Sequence, residues 1–138
     1  MLDLIIKNGK CYIDGQLKDV DVAIKDGKIH KIGEISEDAR EFINAEGQTV
    51  LPGCIDTQTH FREPGSTDTE DLYSGSRAAI AGGITSVFEM PNTNPPTSNK
   101  KEFQRKLDLA KNRMYCNCLL YTSPSPRDRT RSRMPSSA

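Results

Sequence analysis

The sequence predicts a small antiparallel β-sheet followed by the opening of a parallel α/β fold. Two observations carry this. Residues 1–52 are short β-rich runs separated by turn dipeptides, and after Pro52-Gly53 the apolar pattern changes to strand, helix, strand, helix.

In the first stretch, Asn8-Gly9, Asp14-Gly15 and Asp26-Gly27 tolerate the positive φ that two-residue hairpins demand. Leu4-Ile5-Ile6 is one run; Val20, Val22 and Ile24 alternate with Asp21, Ala23 and Lys25. Ile29 and Ile32 mark the next, and Thr49-Val50-Leu51 follows Glu46-Gly47. Such alternation buries one face of a sheet. His30, beside Lys28 and Lys31, reads as a solvated strand residue, and Cys11 and Cys54 as small core residues. Beyond Gly53, Cys54-Ile55-Asp56 is a short strand, followed by a polar loop from Thr57 to Asp68. Thr67-x-x-Glu70 has the form of a capping box, and Leu72, Ser76, Ala79 and Ile80 fall on one helical face that Gly82-Gly83 ends. Thr85 to Met90 is an apolar strand and Pro91 to Thr97 a loop. Asn99-x-x-Glu102 opens a second helix with Phe103, Leu107, Ala110 and Met114 along its stripe.

Composition narrows the class. The 138 residues are about one domain's worth. With 19 basic and 19 acidic residues there is no basic field to hold a nucleic acid. No run of roughly 18 apolar residues predicts a membrane span. The start, MLDLIIKNGK, lacks the long apolar core of a secretory signal, and four cysteines without an extracellular context make no disulfide framework. A soluble, cytoplasmic chain is expected, with no nucleic-acid or membrane partner. The zero net charge hides a seam after Asn117: four basic residues and one acidic residue lie in 118–138, which leaves 1–117 at −3. Pro124, Pro126 and Pro135 break any regular element there, and CLLYTSPSPRD resembles the translated read-through of a sequencing-library adapter. Residues 118–138 are therefore expected to be a non-native, disordered tail.

The densest polar cluster, Asp56-Thr57-Gln58-Thr59-His60-Phe61-Arg62-Glu63, follows one strand, and Pro91-Asn92-Thr93-Asn94 follows the next. In parallel α/β folds such loops emerge on one face, where sites are built. An Arg there offers a planar donor fork for a carboxylate and an Asn adds a neutral donor. The bland alternative is that Asn and Asp turn the chain while Arg62 pairs with Glu63 or Glu70.

LPGCIDTQTHFREPG followed by AAIAGGITSVFEMPNTNPP resembles the dihydroorotases of the amidohydrolase superfamily, with the similarity running from Met1 to about Asn117. The resemblance implies the start of a metal-dependent hydrolase (β/α)8 TIM barrel, incomplete here (53–117), preceded by a small N-terminal β-sandwich (composite) domain (1–52). It implies zinc, one or two ions in the full-length family, and hydrolysis of the cyclic amide of dihydroorotate to carbamoyl aspartate in pyrimidine biosynthesis. The MPNT at Met90 to Thr93 favours dihydroorotase over allantoinases and hydantoinases. By resemblance His60 is a metal ligand, Arg62 and Asn92 hold the substrate carboxylate, and Asp56 supports the metal loop. Gln58 stands where the family has its other strand histidine, and a neutral amide oxygen is a poor zinc ligand. The remaining metal ligands and the catalytic aspartate lie downstream in the family, so no catalytic residue is expected within this fragment and the truncated chain is expected to be inactive. Two further readings follow from the same resemblance: a non-catalytic scaffold partner of aspartate transcarbamoylase, for which Gln58 speaks, or a related hydantoinase or allantoinase. For the full-length protein, the expected assemblies are a homo-oligomer or a complex with aspartate transcarbamoylase.

Overall fold

The computed structural model describes residues 1–122, in two units that divide after Pro52. The first holds β1 (Leu2–Lys7), β2 (Lys10–Ile13), β3 (Gln16–Asp19), β4 (Asp21–Lys25), β5 (Lys28–Gly33), β6 (Ala39–Asn44) and β7 (Thr49–Val50). Asp14-Gly15 and Asp26-Gly27 form the expected hairpins, β2–β3 and β4–β5, with positive φ at all four residues.

The expected single antiparallel sheet is replaced by two mixed ones, ordered β5-β4-β1-β6 and β3-β2-β7. β1 pairs with β6 in parallel, and β2 with β7. The cause lies at Asn8-Gly9, which is no hairpin. Asn8 takes φ 63°, its N–H donates to Asp21 Oδ1 (3.2 Å) and its side-chain amide to Asn44 Oδ1 (2.9 Å). These bonds turn the chain out of the first sheet and into the second. Leu2, Ile5, Ala23 and Ile35 form the core of the four-stranded sheet. Cys11 is buried and His30 exposed, both as expected.

The second unit runs β8 (Cys54–Thr59), α1 (Leu72–Ala81), β9 (Ile84–Glu89), α2 (Lys100–Ala110) and β10 (Asn117–Leu120). The strands are ordered β10-β9-β8 and all pair in parallel. β8 outruns its expected length because Thr57 and Thr59, both β-branched, continue the pleat. β10 carries the sheet past the seam at Asn117, with Cys118 opposite Val87 and Leu120 opposite Glu89. The expected tail thus begins within a strand, and from Ser123 onward it lies outside the described residues. Cys54 is exposed rather than in the core, since it heads an edge strand.

α1 starts later than Thr67-x-x-Glu70 predicts. Its N-cap is Asp71, whose carboxylate accepts from Ser74 N–H (2.6 Å) while Ser74 Oγ accepts from Asp71 N–H (3.1 Å). Glu63 Oε2 takes the next free N–H, that of Leu72 (2.9 Å), which fixes where the first turn begins. α2 starts as expected, with Asn99 Oδ1 accepting from Glu102 N–H at 3.0 Å. Its buried stripe is rotated from the expected one: Lys106 is fully buried while Leu107 is 40% exposed. The unit's core gathers Phe61, Leu72, Val87 and Cys116. Among the described residues no helix is long and apolar enough to cross a membrane.

Two outcomes test this packing. A Cβ at Gly75 would stand 2.5 Å from Phe61 Cε1. Ala is the better helix former by about 1 kcal/mol, yet overpacking costs about 1–3 kcal/mol, so Gly75→Ala lowers the urea midpoint. Gly82→Ala, whose Cβ meets nothing closer than 3.5 Å, serves as the control and leaves it near the parent value. The bond from Ser74 N–H, foremost, holds the Asp71 carboxyl below its ordinary range. A depressed carboxyl stabilises the fold above its unfolded pKa and loses that contribution as pH falls through the folded value. Asp71→Asn therefore flattens the acid limb of a stability–pH curve, measured by thermal melts below pH 5.

Candidate functional site

The parallel pairing of β8 with β9 brings the loops at their carboxyl ends together, and backbone bonds stitch them. Met90 N–H donates to Thr59 O (2.9 Å) and Asn94 N–H to Pro64 O (2.9 Å). His60 Nδ1 and Asn92 Oδ1 then meet at 2.8 Å. An amide oxygen accepts, so the contact requires a hydrogen on Nδ1, and in the neutral ring that carries it there Nε2 is the nitrogen with a lone pair.

Asp56, Gln58, Thr59 and His60 line one open cleft of about 330 Å3 together with Gly75, Ala78 and Ala79 of α1, and neither Arg62 nor Asn92 lines it. Gln58 N–H donates to Asp56 Oδ1 (2.9 Å), and this bond, foremost, lowers the Asp56 carboxyl from its ordinary range, with a smaller contribution from His60. Arg62 is exposed and, among the described residues, makes no ion pair. Of its two expected alternative partners, Glu63 is held by Arg113 through two bonds, 2.7 and 3.0 Å, and Glu70 forms no ion pair with Arg62 among the described residues. The structure thus joins His60 to Asn92 and groups His60 with Asp56 and Gln58, while Arg62 stands in solvent two residues along the same loop.

Beneath these loops lies a pair that sequence reasoning missed. Glu89, the last residue of β9, and Lys106 of α2 are both fully buried and meet at 2.7 Å. Glu89 Oε2 accepts from Phe61 N–H (2.9 Å) and Lys106 Nζ donates also to Met90 O (3.2 Å). Burial pushes the Glu89 carboxyl above its ordinary range, and the bonds from Lys106 and Phe61 offset this only in part. One signal was legible: a glutamate ends an apolar strand, and a lysine falls three residues after Phe103 on an apolar helix face.

The sequence profile of the Amidohydrolase family matches residues 49–133, more than half of the chain. The chain belongs to the amidohydrolase family. The dihydroorotase of Methanosarcina acetivorans is 46% identical over 115 residues, covering 80% of this chain and 24% of that protein. An Escherichia coli allantoinase is 43% identical over 113 residues, covering 81% and 25%. Among solved structures, the L-hydantoinase from Arthrobacter aurescens superposes with a TM-score of 0.82 at 31% identity, over 91% of this chain and 29% of that one. The chain spans about a quarter of the length of the relatives it matches. The β8–β9–β10 layer with its two helices is accordingly a portion of the family's (β/α)8 barrel, and it forms no closed barrel among the described residues.

A histidine whose Nδ1–H is held by an oxygen leaves Nε2 directed as a ligand, so His60 fits as one donor. Gln58 supplies only an amide oxygen, and Asp56 Oδ1 already accepts from Gln58 N–H. A catalytic zinc takes about three protein ligands, and no group of three His, Cys, Asp or Glu is placed to hold a metal among the described residues. They do not fit a metal centre.

The His60–Asn92 contact favours a hydrogen on Nδ1 of the ring. Asn92→Ala is expected to shift His60 toward the Nε2–H form, read from the two ring-nitrogen chemical shifts in 15N NMR above pH 8.

Proposed function

We propose that this chain is the portion of a cyclic amidohydrolase that recognises the substrate, and that its substrate is dihydroorotate or carbamoyl aspartate. The contact of His60 with Asn92, on a loop that also presents Arg62, carries the reading. Arg62 supplies a planar two-donor fork and Asn92 Nδ2 a neutral donor, which together suit a ligand with a carboxylate beside a ring amide. Asn92 spends its oxygen on His60, so its amide hydrogens remain for the ligand. His60 is the single metal donor contributed from here, and Asp56 braces the strand end by holding the Gln58 backbone. Met90-Pro91-Asn92-Thr93 favours dihydroorotate over allantoin, and a role in cytoplasmic pyrimidine synthesis goes with that substrate.

A second reading rests on the comparisons. Likeness to an allantoinase at 43% identity supports allantoin as the substrate of the same site.

The test is the protein extended to the length of its relatives, zinc-loaded and assayed with dihydroorotate, allantoin and hydantoin. We expect dihydroorotate to be opened with a kcat/KM at least tenfold above the others, and the 138-residue chain to open none of them. A preference for allantoin overturns the substrate assignment in favour of the second reading. A metal-loaded protein inert toward all three rings overturns the enzymatic reading.

A further inference from the structure

The Glu89–Lys106 pair does more than join α2 to the sheet. Each partner has a second bond, and the two second bonds go to the two different loops. Glu89 Oε2 holds the N–H of Phe61, the residue between His60 and Arg62. Lys106 Nζ holds the carbonyl of Met90, two residues before Asn92. The 2.7 Å contact between carboxylate and ammonium therefore joins the two loops from beneath, beside the backbone bonds from Met90 N–H to Thr59 O and from Asn94 N–H to Pro64 O. Removing two charges from water costs several kcal/mol per ion, and well-packed apolar residues of like volume often stabilise a core as well or better. What an apolar pair cannot do is take up a backbone N–H on one side and a backbone carbonyl on the other.

We propose that Glu89 and Lys106 are positioning residues for the recognition loops, bracing Phe61 and Met90 so that His60, Arg62 and Asn92 are held in one arrangement. The proposal rests on the reading of these loops as the ligand-binding ones. Glu89 touches no ligand group itself and acts through the backbone of its neighbours. The charged or titratable groups facing it are Lys106 from α2, His60 from the β8 loop and the Cys118 thiol from β10.

The experiment uses the full 138-residue chain and needs no substrate. The double substitution Glu89→Leu with Lys106→Met replaces the pair by apolar volume, and Glu89→Gln keeps the shape while removing the charge and one acceptor. Circular dichroism and thermal melts report the fold, and 15N shifts of the His60 ring report its Nδ1–H to Nε2–H ratio. We expect both variants to keep the parent's circular dichroism and a cooperative melt while that ratio falls more than twofold in each, further in the double variant than in Glu89→Gln. A ratio unchanged within twofold in either folded variant overturns the proposal, as does loss of the whole fold in both, which assigns the pair a purely structural part. Failure of every ring-opening assay would leave this readout intact, so the two readings fail separately.

Discussion

A carboxylate without access to water governs the second unit. Glu89 is fully buried at the end of β9, and its two oxygens have a fixed set of donors. An isolated charge there is prohibitively costly, so Lys106 must reach it across the sheet–helix interface, and α2 must rotate to let it. That rotation explains why Leu107 is left half in solvent. The direction of the Glu89 carboxyl shift, upward through burial, says that the ionised form is held at a net cost. In linkage terms the ionised Glu89 opposes folding above its ordinary pKa, and this penalty eases as pH falls through the raised folded value. The stabilisation must therefore come from the apolar residues around it. Full burial of a side chain such as Leu72 contributes about 1.5–3 kcal/mol.

Glu63 repeats the arrangement at the margin of the same unit. Its carboxylate accepts the Leu72 N–H at the start of α1 and two bonds from Arg113, which follows α2. Arg113 keeps its charged state more firmly than an ordinary arginine, chiefly through those Glu63 bonds. Its side chain is one-third exposed, so solvent screens the pair and its strength is modest. Both glutamates use one oxygen on a backbone N–H that the local structure leaves free and spend the rest on a distant cation. Loop and helix positions are thereby set by side chains that never reach the cleft.

Local chemistry was the legible part of the sequence. The hairpins at Asp14-Gly15 and Asp26-Gly27, the Asn99 cap and the β8–α1–β9–α2 order all follow from turn, cap and period rules acting over a few residues. What was not legible depends on partners far along the chain. Asn8-Gly9 carries a hairpin signature, yet Asn44, 36 residues away, takes its amide and turns the chain elsewhere. Thr67-x-x-Glu70 has cap chemistry, yet Glu63 and Asp71 take the helix start. Lys106 breaks the apolar stripe because of Glu89, 17 residues earlier. At the candidate site, the loops and His60, Arg62 and Asn92 were readable from strand ends and residue types. The contact between His60 and Asn92 was not.

The strand surfaces bear on how much of the protein these residues are. In β6, Phe42 and Ile43 are adjacent, so their side chains leave opposite faces of the sheet, and both are about half exposed. A strand with one solvated face alternates apolar with polar residues, whereas apolar residues on both faces mark a strand covered on both sides. β8 and β10 tell the same story at the two edges of the parallel sheet, where Ile55 and Leu119 remain more than half exposed. Single exposed apolar residues need no explanation, but these lie on strand faces and sheet edges whose neighbours are missing among the described residues. Such a pattern suits a segment matching a quarter of the length of its relatives. The strand faces of these residues are thus fitted to surfaces supplied from outside them, while the Glu89–Lys106 pair and its bonds to Phe61 and Met90 are complete within the unit.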